Sequence, residues 1–255
     1  MPDPDQDVIS TERDGRVAII HMHRPAARNA INGALAAGLV DAIAACQDAG
    51  AIVITGADPA FSAGLDLREL GLARLDELAP FSGAVARSGV PTIAAVNGAA
   101  VTGGFEIALA CDFMVASTRA VFADTHLRVG VYPGPVLVDL PRRVGIARAR
   151  EMSLTGNFVD AATALRIGLV NHVVEHEQLL PFTLQLAHAI AEQPAAMVAS
   201  MRRDWDATSE LPVHEAHRVH AQFAVDGGFR DAGRDTLRSN ADAVFARSKE
   251  QRAAE

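Results

Sequence analysis

Apolar positions along the chain follow two rhythms, one with a period of two and one with the period of a helix. Residues 7 to 23 alternate around Asp14-Gly15, a strong tight-turn dipeptide, and predict a two-stranded hairpin. Ile31 to Ala49 carries apolar residues at helical spacing and runs into Gly50, which predicts a helix closed by a glycine cap. Residues 51 to 55, Pro91 to Ala95 and Phe113 to Ala116 are short apolar runs of the kind that form buried strands. Leu67 to Ser88 mixes leucines with charges and predicts helix, broken near Gly71 and Pro80. After Pro133-Gly134-Pro135 the pattern turns helical. Gly145 to Thr155, Asp160 to Ile167, Leu179 to Glu192, Pro194 to Thr208 and Pro212 to Ser248 are helical candidates, with strand-like Leu169 to Val174 among them. Repeated alternation of strand and helix predicts an α/β architecture of stacked strand-strand-helix units.

The stretch from Val96 to Asp112 holds the densest chemistry. A buried strand leads into Gly103-Gly104 and then into an Ala/Leu-rich helix. The glycines allow close approach of the backbone, and the first helical N–H groups have no intrahelical partners. At the positive end of a helix dipole, such groups suit an anion or an oxyanion. Glu106 lies in that first turn, within reach of whatever the N–H groups hold. Glycines at such a junction also serve packing, and a glutamate there also suits the dipole. A second stretch strengthens the chemical reading: Ala51 to Gly56 is a strand, Ala60 to Gly64 a glycine loop, and Leu65-Asp66-Leu67 helix-like sequence.

Four motifs now stand in order: Arg24-Pro25-Ala26-Ala27-Arg28-Asn29-Ala30-Ile31; Ile54-Thr55-Gly56 with Phe61-Ser62-Ala63-Gly64-Leu65-Asp66; Asn97-Gly98 through Glu106 to Cys111-Asp112; and Phe122 through Gly134. Together they resemble the enoyl-CoA hydratase/isomerase, or crotonase, family over roughly residues 8 to 250. The resemblance implies a spiral core of strand-strand-helix units over residues 1–190 and a helical region over residues 191–255 that helps form a homotrimer or a dimer of trimers. It implies an acyl-CoA substrate, a coenzyme A thioester, and no further cofactor. The implied reaction is hydration of a 2-trans-enoyl-CoA to a 3-hydroxyacyl-CoA. In that reaction the thioester oxygen becomes an enolate held by two backbone donors, and side chains move protons.

By resemblance the donors are the N–H groups of Leu65 and Gly103, and Glu106 is the first catalytic carboxylate. Ser62, Ala63 and Gly64 are implied to line the ligand's path. Asp66 suits the start of the following helix whatever the substrate, and Arg28 is the local candidate for a phosphate contact. The sequence departs from the family pattern at His126, where the hydratases carry a second glutamate. A histidine can serve as general acid or base near neutral pH, and a neutral imidazole relieves the repulsion that two carboxylates feel. If Phe122 to His126 is extended, Asp124 and His126 share one face and both approach the pocket. The departure leaves open an isomerase working with a single carboxylate, and a non-catalytic acyl-CoA binder.

Composition removes other classes. With a formal charge of −8 over 255 residues, nucleic-acid binding is disfavoured. No apolar run reaches the ~18 residues of a membrane span, and Met1 to Asp7 lacks a secretory pattern, so a cytoplasmic protein is expected. Cys46 and Cys111 read as reduced core residues. Lys249 is the only lysine, so ligand phosphates would fall to arginines, backbone N–H groups or that residue. His214-Glu215-Ala216-His217 is one residue short of the zinc-protease spacing, and no metal site is expected. Phosphate-loop and dinucleotide fingerprints are absent, and the loop at Ser62 lacks the first glycine of a nucleophile elbow.

Overall fold

The computed structural model describes residues 8–70, 78–227, 240, 241, 245 and 249. The elements run β1 (Ile9–Asp14), β2 (Val17–Met22), α1 (Gly33–Ala45), β3 (Ala51–Gly56), β4 (Ala60–Ser62), α2 (Leu67–Leu70), α3 (Phe81–Ala86), β5 (Thr92–Val96), β6 (Ala99–Val101) and α4 (Gly103–Ala110). They continue with β7 (Phe113–Ser117), β8 (Val121–Ala123), α5 (Val136–Val144), α6 (Ile146–Thr155), β9 (Val159–Asp160), α7 (Ala161–Arg166), β10 (His172–Val174), α8 (Leu179–Ala191), α9 (Ala195–Thr208) and α10 (Val213–Asp226). Residues separate into two compact units, Met1–Gln193 and Pro194–Glu255. α9 and α10 belong to the second unit and pack against each other.

The first unit is built on a repeated step. β3, β5 and β7 lie side by side and parallel in a six-stranded sheet of order β1-β2-β3-β5-β7-β10. Each is followed at once by a short strand, β4, β6 or β8, and these pair in parallel in a second sheet of order β4-β6-β8-β9. A helix then returns the chain to the next long strand. This is the stacked strand-strand-helix arrangement that the alternating pattern predicts.

Side-chain alternation explains why the large sheet is buried on both faces. Ala18, Ile20, Ile52, Ile54, Ala94 and Val96 point into the main core, with Leu35 and Leu39 of α1 and Phe105 of α4. The intervening Val17, Ile19, Val53, Ile93 and Ala95 face the other way and are covered by Leu179, Ala187 and Ala191 of α8.

Several elements differ from the sequence expectations. α1 stops at Ala45 and not at Gly50, because the Cys46 amide turns back to the Ile43 carbonyl. Gly50 serves the approach of α8: a Cβ there would stand 2.6 Å from that of Ala191, and its amide donates to the Arg16 carbonyl at 2.7 Å. α5 starts directly at Val136 and was not among the helical candidates, its pattern being interrupted by Pro141. The strand expected from Leu169 begins only at His172; Leu169 and Val170 are buried apolar residues ahead of it. Gly71, and nearly all of the helix expected beyond Gly227, fall outside the described residues. Among those described, no helix is long and apolar enough to cross a membrane.

Candidate active site

α4 and the loop after β4 meet at the C-terminal ends of the parallel strands, the edge at which α/β sheets place ligands. α4 begins at Gly103 behind Thr102, whose side chain makes no capping hydrogen bond, so the first N–H groups of the helix keep their free state. The second donor arises from a strand bridge. Ile31 pairs in parallel with Leu65: the Ile31 amide donates to the Gly64 carbonyl at 2.7 Å, and the Asp66 amide donates to the Ile31 carbonyl at 2.9 Å. Because the flanking residues serve the bridge, the Leu65 N–H points to the other side of the chain. The residues that carry the two donors are neighbours: a Cβ on Gly103 would stand 3.6 Å from Cγ of the Leu65 side chain.

The loop carrying Leu65 is held from beneath by Asn29, which the sequence motif contains but to which sequence reasoning gave no role. Its side-chain amide donates to the carbonyls of Ala57 at 2.7 Å and Ala60 at 2.6 Å, and its Oδ1 accepts from the Arg24 amide at 2.8 Å. Ser62 is fully buried; its hydroxyl donates to the Asn29 carbonyl at 2.8 Å and accepts from the Gly64 amide at 3.3 Å. Ser62 therefore shapes the loop and does not line the ligand's path. Asp66 likewise belongs to the scaffold, pairing with Arg24 at 3.1 Å and accepting from the Arg68 amide at 3.2 Å at the head of α2. Arg28 is exposed and left-handed, with φ 52°, and its side chain is not drawn into the loop's hydrogen bonds.

A small cavity of about 70 Å³ opens beside the donors, lined by Ala63, Leu65, Thr102, Thr125 and His126, with Leu67, Val129 and Val131 at its apolar side. Glu106 is buried nearby; its Oε1 accepts from the Val136 amide at 3.4 Å, and the Gly134 amide also favours its charged form. A Cβ at 134 would stand 2.9 Å from that oxygen, so a side chain there would push the carboxylate aside. Burial pushes the Glu106 carboxyl above its ordinary value, while the field of His126 and the two amides opposes the rise.

His126 and Asp124 do come together, but not as alternate residues of a strand. β8 ends at Ala123, and a 3-10 turn spans His126–Val129. The Asp124 carboxylate folds over this turn: Oδ1 lies 2.6 Å from Nδ1 of His126 and 3.4 Å from its amide nitrogen. Both residues are buried. With Nδ1 committed, Nε2 is the ring nitrogen left for chemistry. Burial alone would raise the Asp124 carboxyl, but hydrogen bonding from His126 and the nearby Ser153 hydroxyl hold it below the ordinary range. Asp124 Oδ2 is buried and makes no hydrogen bond of ordinary geometry among the described residues. Ser153 and the Gly134 and Val136 amides come from segments far along the chain, and no local spacing announces them.

A family model described as enoyl-CoA hydratase/isomerase matches residues 12–228. The chain belongs to that family. A probable enoyl-CoA hydratase of Rhizobium meliloti is 43% identical over 76% of this chain and 79% of its own length. The crotonyl-CoA hydratase of Syntrophomonas wolfei is 36% identical over 71% and 75%. A crystal structure of an enoyl-CoA hydratase subunit from Geobacillus kaustophilus superposes with a TM-score of 0.83 at 32% identity, covering 94% of this chain and 95% of that one. The fold is thus that of the family's spiral. Among the described residues no group of three or more His, Cys, Asp or Glu is arranged to hold a metal ion, and His220, one of the spaced histidines of α10, pairs with Asp204. Cys46 and Cys111 are free and buried, and burial lifts the Cys111 thiol to about 12.

Proposed function

We propose that this enzyme adds water across the double bond of a 2-trans-enoyl-CoA, giving a 3-hydroxyacyl-CoA. The observation that carries the reading is a carboxylate-oriented imidazole, His126, lining a cavity beside the Leu65 and Thr102-Gly103 segments, with the carboxylate of Glu106 buried close enough to feel the field of His126. The Leu65 and Gly103 amides receive the thioester oxygen. Glu106, ionised, takes a proton from water as the water oxygen bonds to C3, and the displaced electron pair collects on the thioester oxygen as an enolate. His126 Nε2 then delivers a proton to C2, and Asp124 stabilises the imidazolium that precedes this transfer. Raising the Glu106 carboxyl makes it a stronger base once ionised, and Val136 and Gly134 keep it aimed.

A second reading, isomerisation, needs only Glu106 to carry a proton between C2 and C4. It is favoured by the commitment of Asp124 to His126, which leaves Glu106 as the carboxylate available to a substrate. Loss of enone absorbance from crotonyl-CoA separates the two when Glu106→Gln and His126→Ala are assayed beside the wild type. The hydratase reading expects turnover by the wild type and a fall of about 10²–10⁴-fold in each variant. Full hydration by His126→Ala removes His126 from the mechanism. Binding without turnover on any enoyl chain length makes the protein an acyl-CoA binder. The same reading expects no further cofactor, a trimer or dimer of trimers by light scattering, and a cytoplasmic location by fractionation.

A further inference from the structure

Thr102 is the only β-branched residue among the described residues with a positive φ. Its φ of 45° and ψ of −115° lie where glycine is at ease and a β-branched side chain is not. Both of its backbone groups hold it there, the amide donating to the Ala123 carbonyl at 3.0 Å and the carbonyl accepting from the Glu106 amide at 2.9 Å. Glycine would relieve the strain and keep both bonds. The threonine side chain must therefore be explained by what it reaches. It does not cap α4. Its Oγ1 presses instead on Gly64, at the spot a Cβ of residue 64 would occupy, and the residue lines the cavity with Ala63, Leu65 and His126. The hydroxyl thus lies against the peptide before Leu65 and belongs to the residue before Gly103.

We propose that the Thr102 hydroxyl is a third donor to the thioester oxyanion, beside the amides of Leu65 and Gly103. This rests on the acyl-CoA reading above. A hydroxyl can rotate to follow an oxygen whose charge grows, so its bond strengthens as the enolate forms. The strained backbone is what carries Oγ1 over Gly64, and Gly64, lacking a Cβ, is what leaves room for it.

The probe is acetoacetyl-CoA, a 3-oxoacyl thioester whose enolate places the same charge on the thioester oxygen and is visible by its absorbance. Coenzyme A alone is the control for folding and for the rest of the ligand. Thr102→Val keeps shape and branching, Thr102→Ser keeps the hydroxyl, and Thr102→Gly relieves the backbone. Enolate affinity and kcat are expected to fall about tenfold in the valine and glycine variants and to stay within about twofold in the serine variant, with coenzyme A binding unchanged in all. A valine variant equal to the wild type overturns the proposal and leaves the acyl-CoA reading intact. Failure of the wild type to bind acetoacetyl-CoA overturns that reading, and this proposal with it.

Discussion

The two halves of the site are made from different materials. The oxyanion side is chiefly backbone: the amides of Leu65 and Gly103, exposed by a strand bridge and by a helix start, with the uncharged Thr102 hydroxyl beside them and Gly64 and Gly104 allowing the two loops to touch. The proton side is made of buried ionisable side chains, Glu106, His126 and Asp124, brought in by α4 and the turn after β8 and steadied by α5 and α6. A backbone half depends on chain geometry and is indifferent to pH. A side-chain half tolerates local backbone adjustment but responds to every change of charge. Mutations on the two sides should therefore fail in different ways.

The largest effect is expected on the backbone half. In Gly64→Ala the new methyl would collide with Thr102 Oγ1 and stand 2.7 Å from the Val101 carbonyl oxygen, on a residue whose φ is +87°. Relief requires the loop or α4 to move, which separates the donors. A kcat loss of about 10²–10³-fold is expected, with a stability loss of about 2–3 kcal/mol by denaturant melting. Gly33→Ala is the control, because nothing lies within 4 Å of a Cβ there. Its activity should equal that of the wild type. A Gly64→Ala enzyme with full activity would show that the Leu65 loop is not half of the oxyanion site.

A smaller and different effect is expected from Asp124→Asn on the proton side. The amide cannot stabilise the imidazolium, and the ring loses the partner that selects its tautomer. A fall in kcat of about 10–10²-fold is expected, with KM nearly unchanged. Because the Asp124 carboxyl is held below the ordinary range, the deficit should be present at every pH from ~5 upward. A raised KM with kcat intact would make Asp124 a substrate contact and would break the division between the halves.

The same division decides what the sequence makes legible. The backbone half is readable because close approach demands glycine and donors demand a helix start, so Gly64 and Gly103-Gly104 mark it locally. The strand-strand-helix repeat is readable for a similar reason, since buried strands declare themselves as short apolar runs. The proton half is harder. Glu106 is visible through its helix turn, but the 3-10 turn at His126 is set by how β8 ends, and the Ser153, Gly134 and Val136 contacts by how α5 and α6 pack. Ser62, implied by resemblance to line the ligand's path, is instead buried under the loop, and neither its bond to the Asn29 carbonyl nor the pairing of Asp66 with Arg24 is legible locally, because the partners lie some thirty to forty residues earlier.

The smallest effect is on stability, and its sign separates the two carboxylates. For Glu106 the folded pKa lies above the unfolded one, so its favourable contribution is present below the ordinary carboxylate range and is lost as pH rises through the raised value. At neutral pH the folded chain then carries a buried charge. Asp124 is the reverse, stabilising above the ordinary range and losing that contribution as pH falls. Glu106→Gln, inactive by the reading above, should therefore be more stable than the wild type near pH 7, by about 1 kcal/mol or ~2–4 °C in Tm. The gain should shrink toward pH ~4, where the wild-type carboxyl is protonated as well. Asp124→Asn should be less stable than the wild type at neutral pH, with the gap closing in acid. If Glu106→Gln lowered Tm at neutral pH, the amides of Gly134 and Val136 would have to outweigh the burial of the charge. Glu106 would then be a structural anchor of α5 as much as a base, and the proton half would be as rigidly built as the backbone half.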